Sequence, residues 1–215
     1  MTTTPPLPRL VTLAATLVLC VGCGTPGHRT HLTPTATATQ SPSPPGLPFA
    51  GAPTVTDPLP RSVLSGDPCT DALTPTQVVA ALGAQITGKR EDLAQVGPAC
   101  GWFNPDTGGA VGVSYTLNIH TGLSAEYANT QPKSALWKEL PPIQGFPAIA
   151  HAGTKATGIP IGFCQASIGL ADDLSIDVSL TLGASKRDTA DACGLVSQIA
   201  DMAVTTLRER APMTS

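Results

Sequence analysis

Residues 164–182 read CQASIGLADDLSIDVSLTL, and this stretch decides the fold. Cys164, Ala166, Ile168 and Leu170 alternate with Gln165, Ser167 and Gly169. After Ala171-Asp172-Asp173 the alternation resumes, with Leu174, Ile176, Val178, Leu180 and Leu182 set against Ser175, Asp177, Ser179 and Thr181. Side chains along a strand point alternately to opposite faces, so each half has one apolar face. The Asp-Asp turn joins them as a tight antiparallel hairpin. Val111, Val113, Tyr115, Leu117 and Ile119 repeat the pattern upstream. Cys100-Gly101-Trp102-Phe103 reads as a strand that puts Cys100 and Trp102 on one side, where the indole can cover a bridge formed by the cysteine. A fifth strand is read at Phe146 to Ala150.

Helices flank these strands. Thr74-Pro75-Thr76-Gln77 is a start signal: a threonine cap, proline at the first helical position and glutamine completing a capping box. Leu73 and Val78 can close as a staple, and Gly83 stops the helix. A middle helix is predicted from Ser124 towards Thr130, with a further turn from Ser134 to Leu140 ended by Pro141-Pro142. A long helix is predicted from Asp188 to Arg208, with Ala192, Leu195, Val196, Ile199, Ala203 and Leu207 as its apolar stripe. The predicted order is α-β-β-α-β-β-β-α. The fold class is α+β: an antiparallel sheet of about five strands packed by a short N-terminal helix, a middle helix and a long C-terminal helix.

The N-terminus speaks to location. Leu10 to Val21 is a short apolar run behind a single basic residue, Arg9. A helical span needs about 20 apolar residues, so this run fits the core of an export signal instead. Gly22-Cys23 follows, and a small residue before cysteine is the cleavage site of a lipoprotein signal. The expectation is a signal peptide over residues 1–22, with Cys23 as the lipidated residue. Cys20 occupies the position where such signals usually carry Leu, Val or Ile.

Residues 23–66 are expected to form a tether. The stretch TPTATATQSPSPPGLP has no apolar periodicity and is dense in Pro, Thr and Ser. His28 and His31 lie in it without geometry for a metal. Residues 67–210 then form one domain and 211–215 a tail.

Four cysteines remain in the body: Cys69, Cys100, Cys164 and Cys193. In an exported chain an even number reads as disulfides, and four permit three pairings. The favoured set is Cys69–Cys100 and Cys164–Cys193, because each closes a short loop of roughly 30 residues. No Cys-x-x-Cys or Cys-x-x-His spacing supports a zinc site, so no metal is expected.

Several residues together carry a resemblance. Asp67-Pro68-Cys69, Leu73-Thr74-Pro75, Cys100-Gly101-Trp102, and Gly145-Phe146-Pro147-Ala148 precede Cys164 in a strand and Cys193 in the last helix. Over about residues 67–208 the body resembles a family of actinobacterial cell-envelope lipoproteins that carry domain of unknown function number 3558. The resemblance implies a mycobacterial or related envelope lipoprotein on the outer face of the cell membrane. It implies no activity.

The net charge of -3 argues against a nucleic-acid partner. The Gly-x-Ser-x-Gly elbow, the dinucleotide fingerprint and the phosphate-binding loop are absent, so no catalytic residue and no cofactor is expected. His120 and His151 read as polar edge residues, Asp172-Asp173 as turn residues, and Lys155 and Lys186-Arg187 as solvated loop charges. Trp102 and Trp137 could stack on a sugar ring, with cover of the core and the disulfide the favoured role for Trp102. The expected function is a non-catalytic module held by its lipid anchor, binding an envelope lipid, a glycan or a membrane protein. The alternatives are a sensory or scaffolding partner of a membrane complex, and an enzyme with His120 or His151 in a cleft beside a carboxylate.

Overall fold

The computed structural model describes residues 46–210. The signal segment, Cys23, most of the tether and residues 211–215 lie outside the described residues.

The fold is α+β. Its sheet has seven strands rather than about five, and every neighbouring pair is antiparallel. In chain order they are β1 (Lys89–Arg90), β2 (Ala99–Asn104), β3 (Gly109–Tyr115), β4 (Ser134–Ile143), β5 (Phe146–Thr154), β6 (Phe163–Ala171) and β7 (Leu174–Thr181). Across the sheet the order is β1-β2-β3-β7-β6-β5-β4. The β6–β7 hairpin thus sits at the centre, with β7 against β3 and β6 against β5.

The helices pack on one face. They are α1 (Pro68–Asp71), α2 (Pro75–Leu82) and α3 (Ala192–Arg210). Thr74 Oγ1 accepts from the Gln77 N–H at 3.3 Å, and Gln77 Oε1 accepts from the Thr74 N–H at 2.7 Å, so the capping box is present. Gly83 ends α2 at φ 74°, the left-handed conformation that glycine adopts without strain. Ala166, Ile168, Ile176 and Val178 meet Val196, Ala200, Ala203 and Val204 in a core where none of the eight is exposed at all. Gln77 reaches across to α3: its Nε2 donates to Met202 O at 3.1 Å and its Oε1 accepts from Thr206 Oγ1 at 2.9 Å.

Both disulfides fall on this face. Cys69 at the start of α1 bridges Cys100 in β2, and Cys193 at the start of α3 bridges Cys164 in β6. Gly88 packs directly over Cys100 and Trp102. A Cβ there would come within 2.6 Å of Cys100 Sγ and 2.8 Å of Trp102 Nε1, which explains the glycine.

Four expectations need correction. Ser134 to Leu140 is not a helical turn but most of β4. Gln144 and Gly145, at φ 51° and 90°, make the tight turn that returns the chain as β5. Pro141 and Pro142 sit inside β4, at the register shift between Leu140 and Ile143. An edge strand with a bulge tolerates prolines because their missing N–H groups leave no ladder bond unmade.

The middle helix reduces to a single π-helical turn, Glu126–Thr130, closed by Gln131 N–H donating to Glu126 O at 2.9 Å. Ser124 does not cap it. Its Oγ accepts from the Phe49 N–H at 3.0 Å. The last helix begins at Ala192 and not at Asp188, because Asp191 Oδ1 accepts from the Cys193 N–H at 2.9 Å and opens the helix there.

Finally, the folded body begins before Asp67, where the tether was expected to end. Val55, Val63 and Leu64 are buried in the core. Leu59 N–H donates to Leu170 O at 2.8 Å, and Val55 N–H donates to Asp172 Oδ1 at 2.8 Å. The proline-rich composition conceals these few apolar anchors.

Candidate functional site

Helices cover one face of the sheet. The other is largely polar, and cross-strand pairing lines its residues up. One row runs Lys89–Gly101–Gly112–Ser179–Gln165–His151–Trp137 across all seven strands. The neighbouring row runs Ala99–Ser114–Asp177–Ser167–Ile149–Glu139. Directly paired residues share a face, so each row is one continuous surface strip.

Over β1, β2, β3 and β7 this face holds a shallow depression of about 560 Å³. Its floor is Gly101 and Gly112, its sides include Lys89, Glu91, Ser179 and Thr181, and Phe103 stands at its margin. Both glycines leave room for neighbouring side chains. A Cβ on Gly101 would lie 2.8 Å from Glu91 Oε2, and one on Gly112 would lie 2.6 Å from Ser179 Oγ. Phe103 is 58% exposed, with Ala110 as its cross-strand partner.

The far end of the same face is partly roofed by the segment carrying the π-helical turn. Leu123, Tyr127 and Ile149 form a small second core there, with Ala52 and Trp137 packed against it. Tyr127 meets the Trp137 indole edge-on at 5.1 Å, and Trp137 stacks on the His151 ring at 6.3 Å. Glu126 Oε2 lies 3.8 Å from His151 Nε2. Both of these atoms, together with Trp137 Nε1, are buried without a hydrogen-bond partner.

Asp177 belongs to this cluster. Ser167 Oγ donates to its Oδ1 at 2.6 Å. Burial, and then the charge of Glu126, push its carboxyl up to about 7, while hydrogen bonds from Ser167 and Gln165 pull the other way. Burial lowers the pKa of His151, opposed by Glu126. Burial first, and then Glu139, push the Tyr127 phenol up to about 12, so it donates to Glu139 Oε1 at 3.3 Å as a neutral hydroxyl. Near neutrality the cluster thus holds a carboxyl that can donate, an uncharged imidazole and an indole N–H. It lacks an evident nucleophile.

The remaining sequence candidates fall elsewhere. Cys23 lies outside the described residues. His120 is exposed, and Arg61 Nη2 lies 2.8 Å from its Nδ1. Arg61 also pairs with Asp173 at 3.1 Å. Asp172 and Asp173 thus do more than turn the β6–β7 hairpin: they dock the segment before α1 onto it. Trp102 is buried on the helix-covered face beside Cys100, as its alternation implied. Lys155, Lys186 and Arg187 are exposed loop residues. Among the described residues no group of three His, Cys, Asp or Glu is placed to hold a metal ion, and no helix is long and apolar enough to cross a membrane.

Glu126, Asp177, Gln165 and Phe103 are functional candidates that sequence reasoning missed. Alternation assigned the two β-strand polar residues to an outward face. It could not show that the chain between β3 and β4 returns over one end of that face and buries it.

No curated protein and no solved structure matches the chain. Residues 18–206 match the family described as protein of unknown function (DUF3558), and the chain belongs to that family.

Proposed function

We propose that this chain is an exported lipoprotein of an actinobacterial-type envelope that binds a saccharide without transforming it. In this reading it is acylated at Cys23 and held on the outer face of the cell membrane. The signal-like N-terminus and the Gly22-Cys23 junction support the anchor, and a body stapled by two disulfides suits an oxidising compartment.

The observation that carries the saccharide reading is Phe103 beside a depression lined by Gly101 and Gly112, on the sheet face away from α1, α2 and α3. An exposed ring offers a flat apolar platform to the C–H face of a sugar. Ser179, Thr181, Lys89 and Glu91 supply neutral and charged partners for hydroxyl groups around it. The volume lies within the range of small-ligand sites, about 300–1,000 Å³.

Sedimentation with purified, protein-free cell walls tests this reading. The wild type should pellet, and Phe103→Ala should release it with an affinity roughly tenfold lower, as expected for loss of a central aromatic contact. Equal pelleting of the two proteins contradicts it.

A second reading is favoured by one feature, the proximity of Glu126 to His151. Acid–base chemistry on the same ligand would use Asp177 as the proton donor. Release of reducing ends from those cell walls by the wild type, lost in Asp177→Asn, would establish it.

A further inference from the structure

A second cavity lies on the helix-covered side of the sheet. It opens between the C-terminal half of α2, the first half of α3 and the end of β7, with a volume of about 310 Å³. Leu82, Leu182, Leu195, Ile199 and Met202 form its apolar walls. The only charged residue among those lining it is Lys186, which makes no ion pair among the described residues.

The cavity is framed rather than incidental. Gln77 pins the start of α2 to α3 through Met202 O and Thr206 Oγ1. Asn104, buried in β2, donates from Nδ2 to Leu82 O at 3.0 Å and holds the end of α2 against the sheet. The Cys164–Cys193 bridge fixes the start of α3 less than one turn before Leu195. Between these ties α2 presents two small side chains, Ala80 and Ala81, to the gap beside Leu82, and α2 then ends at Gly83. Small side chains held between fixed supports leave a gap that the walls cannot close, and preformed apolar sites of this kind need little reorganisation to bind.

From these features we infer that the cavity between α2 and α3 binds a single long-chain fatty acid, its alkyl chain along Leu82, Leu195, Ile199 and Met202 and its carboxylate at Lys186. The apolar walls favour an alkyl chain, Thr107, Thr181, Ser185 and Gln198 add polar groups to the lining, and the modest volume fits one chain better than two. An ammonium in no ion pair among the described residues favours an anionic head group. Met202 adds a flexible wall that adapts to chain position. The site is on the opposite side of the sheet from Phe103 and does not depend on the saccharide reading.

Titration of the oxidised full-length protein with 11-(dansylamino)undecanoate tests the assignment, followed by dansyl fluorescence. The wild type should show saturable, blue-shifted emission that palmitate displaces. Ala81→Phe fills the gap and should abolish saturable binding while leaving the circular dichroism spectrum unchanged. Lys186→Glu, an exposed change that leaves the fold intact, should weaken the acid by roughly three- to tenfold. It should leave binding of the probe's methyl ester unchanged. No saturable binding by the wild type overturns the proposal, as does undiminished binding by a folded Ala81→Phe protein. Equal weakening of acid and ester by Lys186→Glu overturns the role given to the ammonium.

Discussion

The backbone N–H of Cys193 donates to Asp191 Oδ1 at 2.9 Å. Cys69 and Asp67 repeat this geometry at the same distance. In each case an aspartate two residues ahead of a cysteine opens a helix, and the cysteine bridges to a strand on the helix-covered face. The cap fixes where the helix begins and so places the sulfur against its partner. Each bridge closes a loop with a sequence separation of 31 or 29 residues. Replacing either pair by serine should lower the unfolding free energy by roughly 3–4 kcal/mol in chemical denaturation. A denaturation midpoint that does not move would contradict a structural role for that bridge.

Asp177 should make stability fall as pH rises. Its carboxyl is raised to about 7 in the folded protein, so between its unfolded value near 4 and about 7 the native state holds a proton that the unfolded chain has released. The stabilisation is complete below about pH 4 and lost as pH passes through 7. His151 contributes in the opposite sense: its lowered pKa favours the native state as pH rises towards 6.5. Asp177→Asn keeps the shape of the protonated acid and removes the titration. It should therefore raise the unfolding free energy relative to wild type at pH 8, by an amount on the order of 1–3 kcal/mol, with a higher melting temperature, and the gain should shrink towards pH 4. Thermal denaturation of both proteins across this range checks the sign.

Gln77 is both a helix cap and a tie to α3. Thr74→Ala removes the cap alone and should cost about 1 kcal/mol. Gln77→Ala also strips Thr206, itself buried, of a partner and should cost about 2–3 kcal/mol. A double-mutant cycle between positions 77 and 206 should show a coupling of about 0.5–1.5 kcal/mol, and independent effects would contradict the tie.

Much of this was legible in the sequence, and the unreadable parts share a cause. The β6–β7 hairpin, the threonine-capped helix and the apolar stripe of the last helix each rest on local periodicity or local capping, which the chain order preserves. β4 was hidden because Pro141-Pro142 reads as a break. Only the edge position of that strand, a tertiary fact, makes prolines admissible there. The Glu126–His151–Asp177 cluster was hidden for the same reason. Its members come from three separate segments, and nothing in the alternation of β5 or β7 shows which polar face a distant turn will cover. Phe103 carried a signal, an aromatic on the face of β2 opposite Trp102, but strand alternation alone does not distinguish a solvent-facing ring from one beneath a loop.

The anchor has its own test. Growth with a radioactive fatty acid should label the wild-type protein, and Cys23→Ala should abolish both the label and recovery in the membrane fraction. A labelled Cys23→Ala protein contradicts acylation at that residue.

The most direct measurement of the central claim is a map of amide chemical shifts in the oxidised protein during titration with soluble cell-wall oligosaccharides. The account predicts saturable shifts confined to Gly101, Phe103, Gly112, Ser179 and Thr181, on the face of the sheet away from the helices. Saturable shifts confined instead to α2 and α3, or no saturable shift at any concentration reached, would contradict it.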